Sequence, residues 1–155
     1  MRVITENTIR PLCRSSVVTI GNFDGVHLGH RALLERCIER SGKDSEVVVV
    51  TFDPLPQGYF APDRAPARLS PDRQKFELLE QSGVDLVWVM RFNQQLAEMS
   101  ATSFAESVLS QALGARAVVV GEDFRFGRAR EGDFALLQTL GHSLGFEVLT
   151  VADIE

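Results

Sequence analysis

Five short runs rich in β-branched residues constrain this chain more than anything else in it: Val17–Ile20, Glu46–Phe52, Asp85–Met90, Ala115–Val120 and Phe146–Val151. Most are nearly continuous in apolar residues, the pattern of a strand covered on both faces rather than one. Between them lie segments with helical spacing of apolar positions, Leu28–Ser41, Pro71–Ser82, Ala101–Leu113 and Asp133–Leu144. Strands that alternate with helices pack as a parallel sheet with helices on both sides. The expected fold class is therefore α/β, a doubly wound parallel five-stranded sheet. Helix punctuation agrees: Ser70 stands as cap before Pro71, and Gly83, Gly114 and Gly145 follow the second, third and fourth helices. Phe76 and Leu79, then Phe104, Val108 and Leu109, then Leu136, Leu137 and Leu140 fall on the stripes a sheet would cover.

With 155 residues and 45% hydrophobic content the chain supplies one core, so residues 1–155 read as one domain. A net charge of −5 offers no basic surface, and a nucleic-acid partner is not expected. The N-terminus has no apolar signal core and no stretch has the length of a membrane span, which points to a cytoplasmic protein with no membrane partner. Cys13 and Cys37 have neither metal nor disulfide spacing and are expected as reduced thiols, Cys37 packing on the helix face of Leu34 and Ile38. The Pro-rich stretch Asp53–Pro66 is the one long loop.

In an open parallel sheet, ligands sit beyond the carboxyl ends of the strands, where strand order reverses. Gly21–His30, Asp53–Phe60 and Gly121–Arg130 all follow strands in this way. The first is the most informative, because Gly21 and Gly25 bound a turn that leads straight into a helix carrying His27 and His30. A helix start presents unpaired N–H groups and the positive end of its dipole, so an anion belongs there. Histidines at i and i+3 share one face of the first turn and can both donate to one phosphoryl group, while Gly29 lets a ligand approach the backbone. A helical zinc pair would be spaced i and i+4 with a third ligand near, so no metal site is expected. His142 reads as a surface helix residue.

The third segment combines Gly121, Glu122, Asp123, Phe124, Arg125, Phe126, Gly127 and Arg128. Phenylalanines in loops often tuck beneath them, and Phe124 is open between that role and ligand contact. Phe126, flanked by Arg125 and Arg128, is expected to be exposed, covering a planar heterocycle while the guanidinium groups meet phosphate oxygens. Phe60 supplies an opposite wall. Arg130 reads as part of a solvated charge run with Glu131 and Asp133 as partners.

Taken together, Gly21-Asn22-Phe23-Asp24-Gly25-Val26-His27-Leu28-Gly29-His30, then Thr51-Phe52-Asp53-Pro54, then Val120-Gly121-Glu122-Asp123-Phe124-Arg125-Phe126-Gly127 resemble the prokaryotic bifunctional FAD synthetase family, riboflavin kinase/FMN adenylyltransferase. The H-x-G-H element alone marks only a nucleotidyltransferase; the other two segments point to the flavin enzyme. The resemblance implies a Rossmann-like nucleotidyltransferase fold that transfers AMP from ATP to FMN, giving FAD and pyrophosphate with Mg²⁺. It implies that His27 and His30 bind phosphate, that Gly21, Phe23, Asp24 and Gly29 form the nucleotide-binding turn, and that Phe60, Asp123 and Phe126 meet the flavin. Arg125 and Arg128 are further phosphate contacts. The partners are then small-molecule substrates.

Two departures stand out. Where many relatives read F-x-P-H-P, this chain has Phe52-Asp53-Pro54-Leu55-Pro56, and Leu55 can neither hydrogen-bond nor carry charge. Family members continue into a Ser-Ser-Thr-x-x-Arg segment and a riboflavin kinase domain, neither of which lies within residues 1–155. Two other readings stay open: a catalytically weak nucleotide- or flavin-binding module, and an adenylyltransferase for another phosphorylated metabolite.

Overall fold

Val47, Val48, Val49 and Val50 are each no more than 2% exposed, which places their strand deep in the sheet. The structure, a computed structural model, describes residues 1–8, 10–21, 28–53 and 72–150. Its strands are β1 (Arg2–Ile4), β2 (Ser16–Ile20), β3 (Glu46–Phe52), β4 (Leu86–Met90), β5 (Ala115–Val119) and β6 (Glu147–Leu149). All pair in parallel, in the order β1-β4-β3-β2-β5-β6. The sheet thus has six strands, a correction to the five expected. The additional strand, β1, pairs Arg2 with Leu86 at the edge. It is three residues long and mostly exposed, so no run of buried residues marks it.

The helices are α1 (Leu28–Ser41), α2 (Asp72–Gln81), α3 (Gln94–Glu98), α4 (Ala101–Phe104) and α5 (Phe134–Leu144). Helix α4 runs on as a π-helix over Ala105–Ala112, closed where Leu113 N–H donates to the Val108 carbonyl (3.2 Å). Two apolar clusters separate the faces of the sheet. Leu34 and Cys37 of α1 and Leu79 of α2 pack with Val17, Val47, Val49, Val87, Ala117 and Val119. Leu96, Phe104, Val108, Leu109 and Leu137 pack with Val18, Val48, Val50, Trp88 and Val118 on the other side. The sheet is therefore doubly wound. Among the described residues, no helix is long and apolar enough to cross a membrane.

The strand order places the site. From β2 the chain steps outward to β3 and then β4, and returns across the sheet to β5 on the other side of β2. Ile20 pairs with Val50, and Thr19 pairs with Val119, so β2 ends beside β3 on one edge and β5 on the other, at the reversal of strand order. Helix α1 is held firmly at its far end. Arg116 of β5 donates from Nη2 to the carbonyls of Arg40 and Ser41 and from Nε to Ser45 Oγ (2.6 Å), while Arg40 pairs with Glu147 of β6. These contacts satisfy carbonyls that a helix end otherwise leaves open. With its last turn fixed and Leu34 buried, the start of α1 is set at the carboxyl edge.

Both cysteines are free and buried, as their spacing implied. Burial pushes the Cys13 thiol up to about 11 and the Cys37 thiol up to about 12. A thiol whose folded pKa is raised stabilises the fold fully below its unfolded value, and that contribution is lost as pH climbs through the folded value.

Leu34→Ala is expected to lower unfolding free energy by about 2–5 kcal/mol, against about 1 kcal/mol or less for the half-exposed Ile38→Ala, as read by denaturant titration. Stability should also fall between about pH 9 and pH 12. A Cys37→Ala chain should lose less over that interval, and an equal loss would show that the thiol is not the group responsible.

Candidate active site

The parallel strands stay hydrogen-bonded to their carboxyl ends. Gly21 N–H donates to the Val50 carbonyl (3.0 Å), Asp53 N–H to Met90 (3.0 Å) and Val120 N–H to Leu149 (3.1 Å). Strand order reverses beside β2, and it is at such a point of a doubly wound sheet that a ligand crevice forms. On the β2 side, α1 begins at Leu28, so its first N–H groups lie at this edge and His30 is its third residue. The expectations for Phe23, Asp24, His27, Leu55 and Phe60 lie outside the described residues, and Gly29 and His30 are described only as backbone of α1.

On the β5 side the chain turns at once, Phe124 N–H donating to the Gly121 carbonyl (3.1 Å) and leaving Asp123 exposed at the edge. Phe126 is not the exposed ring expected. It is 7% exposed, stacked on Phe124 with centroids 5.6 Å apart and planes 13° apart, and 6.1 Å from Phe104 of α4. The cause is a small antiparallel bridge. Phe126 N–H donates to the Gly132 carbonyl (3.1 Å), and Gly132 N–H returns the bond (2.8 Å). A Cβ on Gly132 would come 2.6 Å from the Phe126 ring, so only glycine leaves the ring room to turn inward. Phe124, half-buried, carries the exposed part of the stack.

The five residues inside that bridge are pinned to the neighbouring helix. Arg128 N–H donates to the Met99 carbonyl (2.8 Å), and Glu131 Oε1 accepts from Ala101 N–H (2.9 Å), the first residue of α4. The Glu131 carboxylate also pairs with Arg128 at 3.8 Å. Ala129 and Arg130 have φ of 53° and 56°. Two successive left-handed residues other than glycine cost about 1–2 kcal/mol each, and the contacts at Met99, Ala101 and Gly132 hold them there. The charge run is corrected in one respect: Asp133 does not serve the arginines but caps α5, accepting from Leu136 N–H (2.8 Å). Arg125 is exposed and makes no ion pair among the described residues.

Two features escaped the sequence reading. Phe52 and Phe92 meet edge to face, centroids 5.8 Å apart, at the ends of β3 and β4 and on the same face as Phe124. On the opposite face Lys75 of α2 is 3% exposed and its Nζ lies 3.3 Å from Thr51 Oγ1. Its signal was phase: Lys75 precedes Leu79 by four residues and so shares the buried stripe of α2. The crevice is thus asymmetric. A helix start and a buried ammonium lie towards β2 and β3, suited to phosphate. Aromatic rings and Asp123 lie on the β5 side, suited to a planar ring system with polar edges.

The sequence profile described as FAD synthetase matches residues 10–155. The chain is 47% identical over 133 residues to the bifunctional riboflavin kinase/FMN adenylyltransferase of Escherichia coli K12, covering 85% of this chain and 42% of that protein. It is 44% identical over 152 residues to the protein of the same name from Pseudomonas fluorescens, covering 96% of this chain and 48% of that one. The chain therefore spans less than half the length of these relatives. Among solved structures, one titled macrolide-efflux protein from Streptococcus pneumoniae superposes with a TM-score of 0.82 at 24% identity, over 100% of this chain and 52% of that one, a likeness of fold alone.

The two rings after β5 are expected to separate on substitution. Phe126→Ala should cost about 3–5 kcal/mol of stability, as for a buried phenylalanine, and Phe124→Ala distinctly less. Thermal unfolding of the two variants checks this, and equal losses would contradict the burial difference.

Proposed function

The chain belongs to the FAD synthetase family, and on that premise we propose that it transfers AMP from ATP to FMN, forming FAD and releasing pyrophosphate. The observation that carries this reading is the adjacency of two unlike loops at the switch point. The β2 end leads to a helix start, while the β5 end carries Asp123 and a stacked pair of phenylalanines. A reaction that joins a nucleotide phosphate to a flavin phosphate needs both kinds of surface around one crevice. The relatives' printed name supports the choice of acceptor. Residues 1–155 are assigned to the adenylyltransferase activity as one domain, and the riboflavin kinase activity in that name is carried over to no residue of this chain.

In this reading the α1 start, with His27 and His30, binds the triphosphate, and Gly21, Phe23, Asp24 and Gly29 shape the turn around it. An FMN phosphate oxygen attacks the α-phosphorus in line. The new P–O bond forms as the bond to the β-phosphate breaks, and the electron pair leaves with pyrophosphate. No covalent enzyme intermediate is required, so the protein contributes position and stabilisation of charge on the phosphoryl oxygens. Phe60, Asp123 and the Phe124–Phe126 stack hold the isoalloxazine, Phe126 from behind Phe124. Arg125 is available to a phosphate. Arg128 reaches one only by loosening its pairing with Glu131.

Mg²⁺ is part of the proposal. Among the described residues no three His, Cys, Asp or Glu side chains gather closely enough to hold a metal ion. Asp123, exposed at this edge, is a carboxylate that would help to hold Mg²⁺. Such an ion would neutralise charge on the triphosphate.

Incubation with ATP, FMN and Mg²⁺ should yield FAD and pyrophosphate in equal amounts, FAD being read by chromatography. Adenylylation of a different phosphorylated metabolite, with none of FMN, would overturn the assignment. Replacing either His27 or His30 with alanine should lower turnover by about 10²–10³ with the fold retained, the scale for one lost transition-state donor. Undiminished turnover in both variants would remove the histidines from the mechanism.

A further inference from the structure

The face of the sheet beneath α1 and α2 is apolar until its carboxyl end, where it changes character. Val17, Val47, Val49, Val87, Ala117 and Val119 form its floor. At the end of that floor stand Thr19, Thr51 and Lys75, exposed by 0%, 1% and 3%. Burying such groups is costly, and helix packing does not ask for it: Phe76 and Leu79 show what α2 otherwise sets against this face. Thr19 Oγ1 has no hydrogen-bond partner, a buried hydroxyl left unsatisfied at this end of the strand. The location is specific. Ile20 pairs with Val50, which brings Thr51 beside Gly21, and Gly21 N–H is bonded to Val50 just below it. Lys75 Nζ reaches Thr51 Oγ1 from α2 at 3.3 Å.

We infer that Lys75 is a positioning residue for the nucleotide half of the site, holding the carboxyl ends of β3 and β2 in the geometry that binding of a nucleoside triphosphate requires. This deepens the adenylyltransferase reading and rests on it. The contact with Thr51 ties α2 to β3, the strand that flanks Gly21. It acts on the ligand through the ends of those strands. Because the aromatic surfaces lie on the opposite face, the effect falls on ATP and not on the flavin.

The test compares wild type with Lys75→Met, Lys75→Arg and Thr51→Val, using calorimetric titration with ATP and separately with FMN, alongside thermal unfolding. Lys75→Met should weaken ATP binding by about tenfold or more and leave FMN binding within about twofold, without a fall in melting temperature that parallels the loss. Lys75→Arg should recover part of the loss, and Thr51→Val should fall between wild type and Lys75→Met. Unchanged ATP affinity in Lys75→Met, or equal losses for ATP and FMN, would overturn the inference. Should Lys75→Met not fold, Thr51→Val decides: wild-type ATP affinity there overturns it, and a selective loss upholds it. Wild-type protein that binds ATP yet forms no FAD would refute the adenylyltransferase reading while leaving the comparison of ATP affinities in force.

Discussion

Strand β2 is hydrogen-bonded on both edges and covered on both faces, and this confinement dictates where chemistry can occur. Ser16, Val17, Val18, Thr19 and Ile20 are all buried, so the strand can present nothing to a ligand along its length. Whatever reacts must lie beyond its ends. At the carboxyl end, the crossing of the chain from β4 back to β5 sets a reversal of strand order beside β2. In doubly wound sheets that is where a ligand crevice forms, without any residue having to be removed from the core.

The two walls are fixed by different means. On the α1 side, rigidity comes from the helix as a whole, anchored at its far end by Arg116 and Arg40 and along its length by Leu34 and Cys37. On the aromatic side it is local. The bridge between Phe126 and Gly132 and the bonds to Met99 and Ala101 hold a strained pair of left-handed residues. Donors around a reacting phosphate are useful in proportion to how little they must move, and these anchors limit the movement of α1 and of residues 126–132.

Much of the fold was legible because the strongest signals are local. The valine-rich runs at 17–20, 47–50 and 117–120 can hardly be anything but buried strands, and Gly145 ends α5 as expected. Strand β1 was not legible, since an exposed three-residue edge owes its existence to β4 alone. Nor was the π-helix. The apolar positions at Phe104, Val108 and Leu109 satisfy an α-helix and a π-helix alike, and the choice between them is made by packing against the sheet. Helix α3 did have a sign, Asn93 accepting from Leu96 N–H (3.0 Å), but it is too short for periodicity to speak. The site divides in the same way. The start of α1 followed from the glycine turn after a buried strand. Phe126 misled because its inward turn depends on Gly132 across a bridge, and Lys75 was hidden because a lone lysine in an amphipathic helix ordinarily faces water.

The central claim is that one crevice at the ends of β2 and β5 receives the nucleotide on its α1 side and the flavin on its Phe124 side. A crystal structure of the protein with FAD bound tests it most directly. The account predicts the pyrophosphate of FAD at the start of α1 and the isoalloxazine against the exposed face of Phe124. Density for the dinucleotide elsewhere, as in the groove between α1 and α2 lined by Leu34, Ile38 and Leu78, would contradict it.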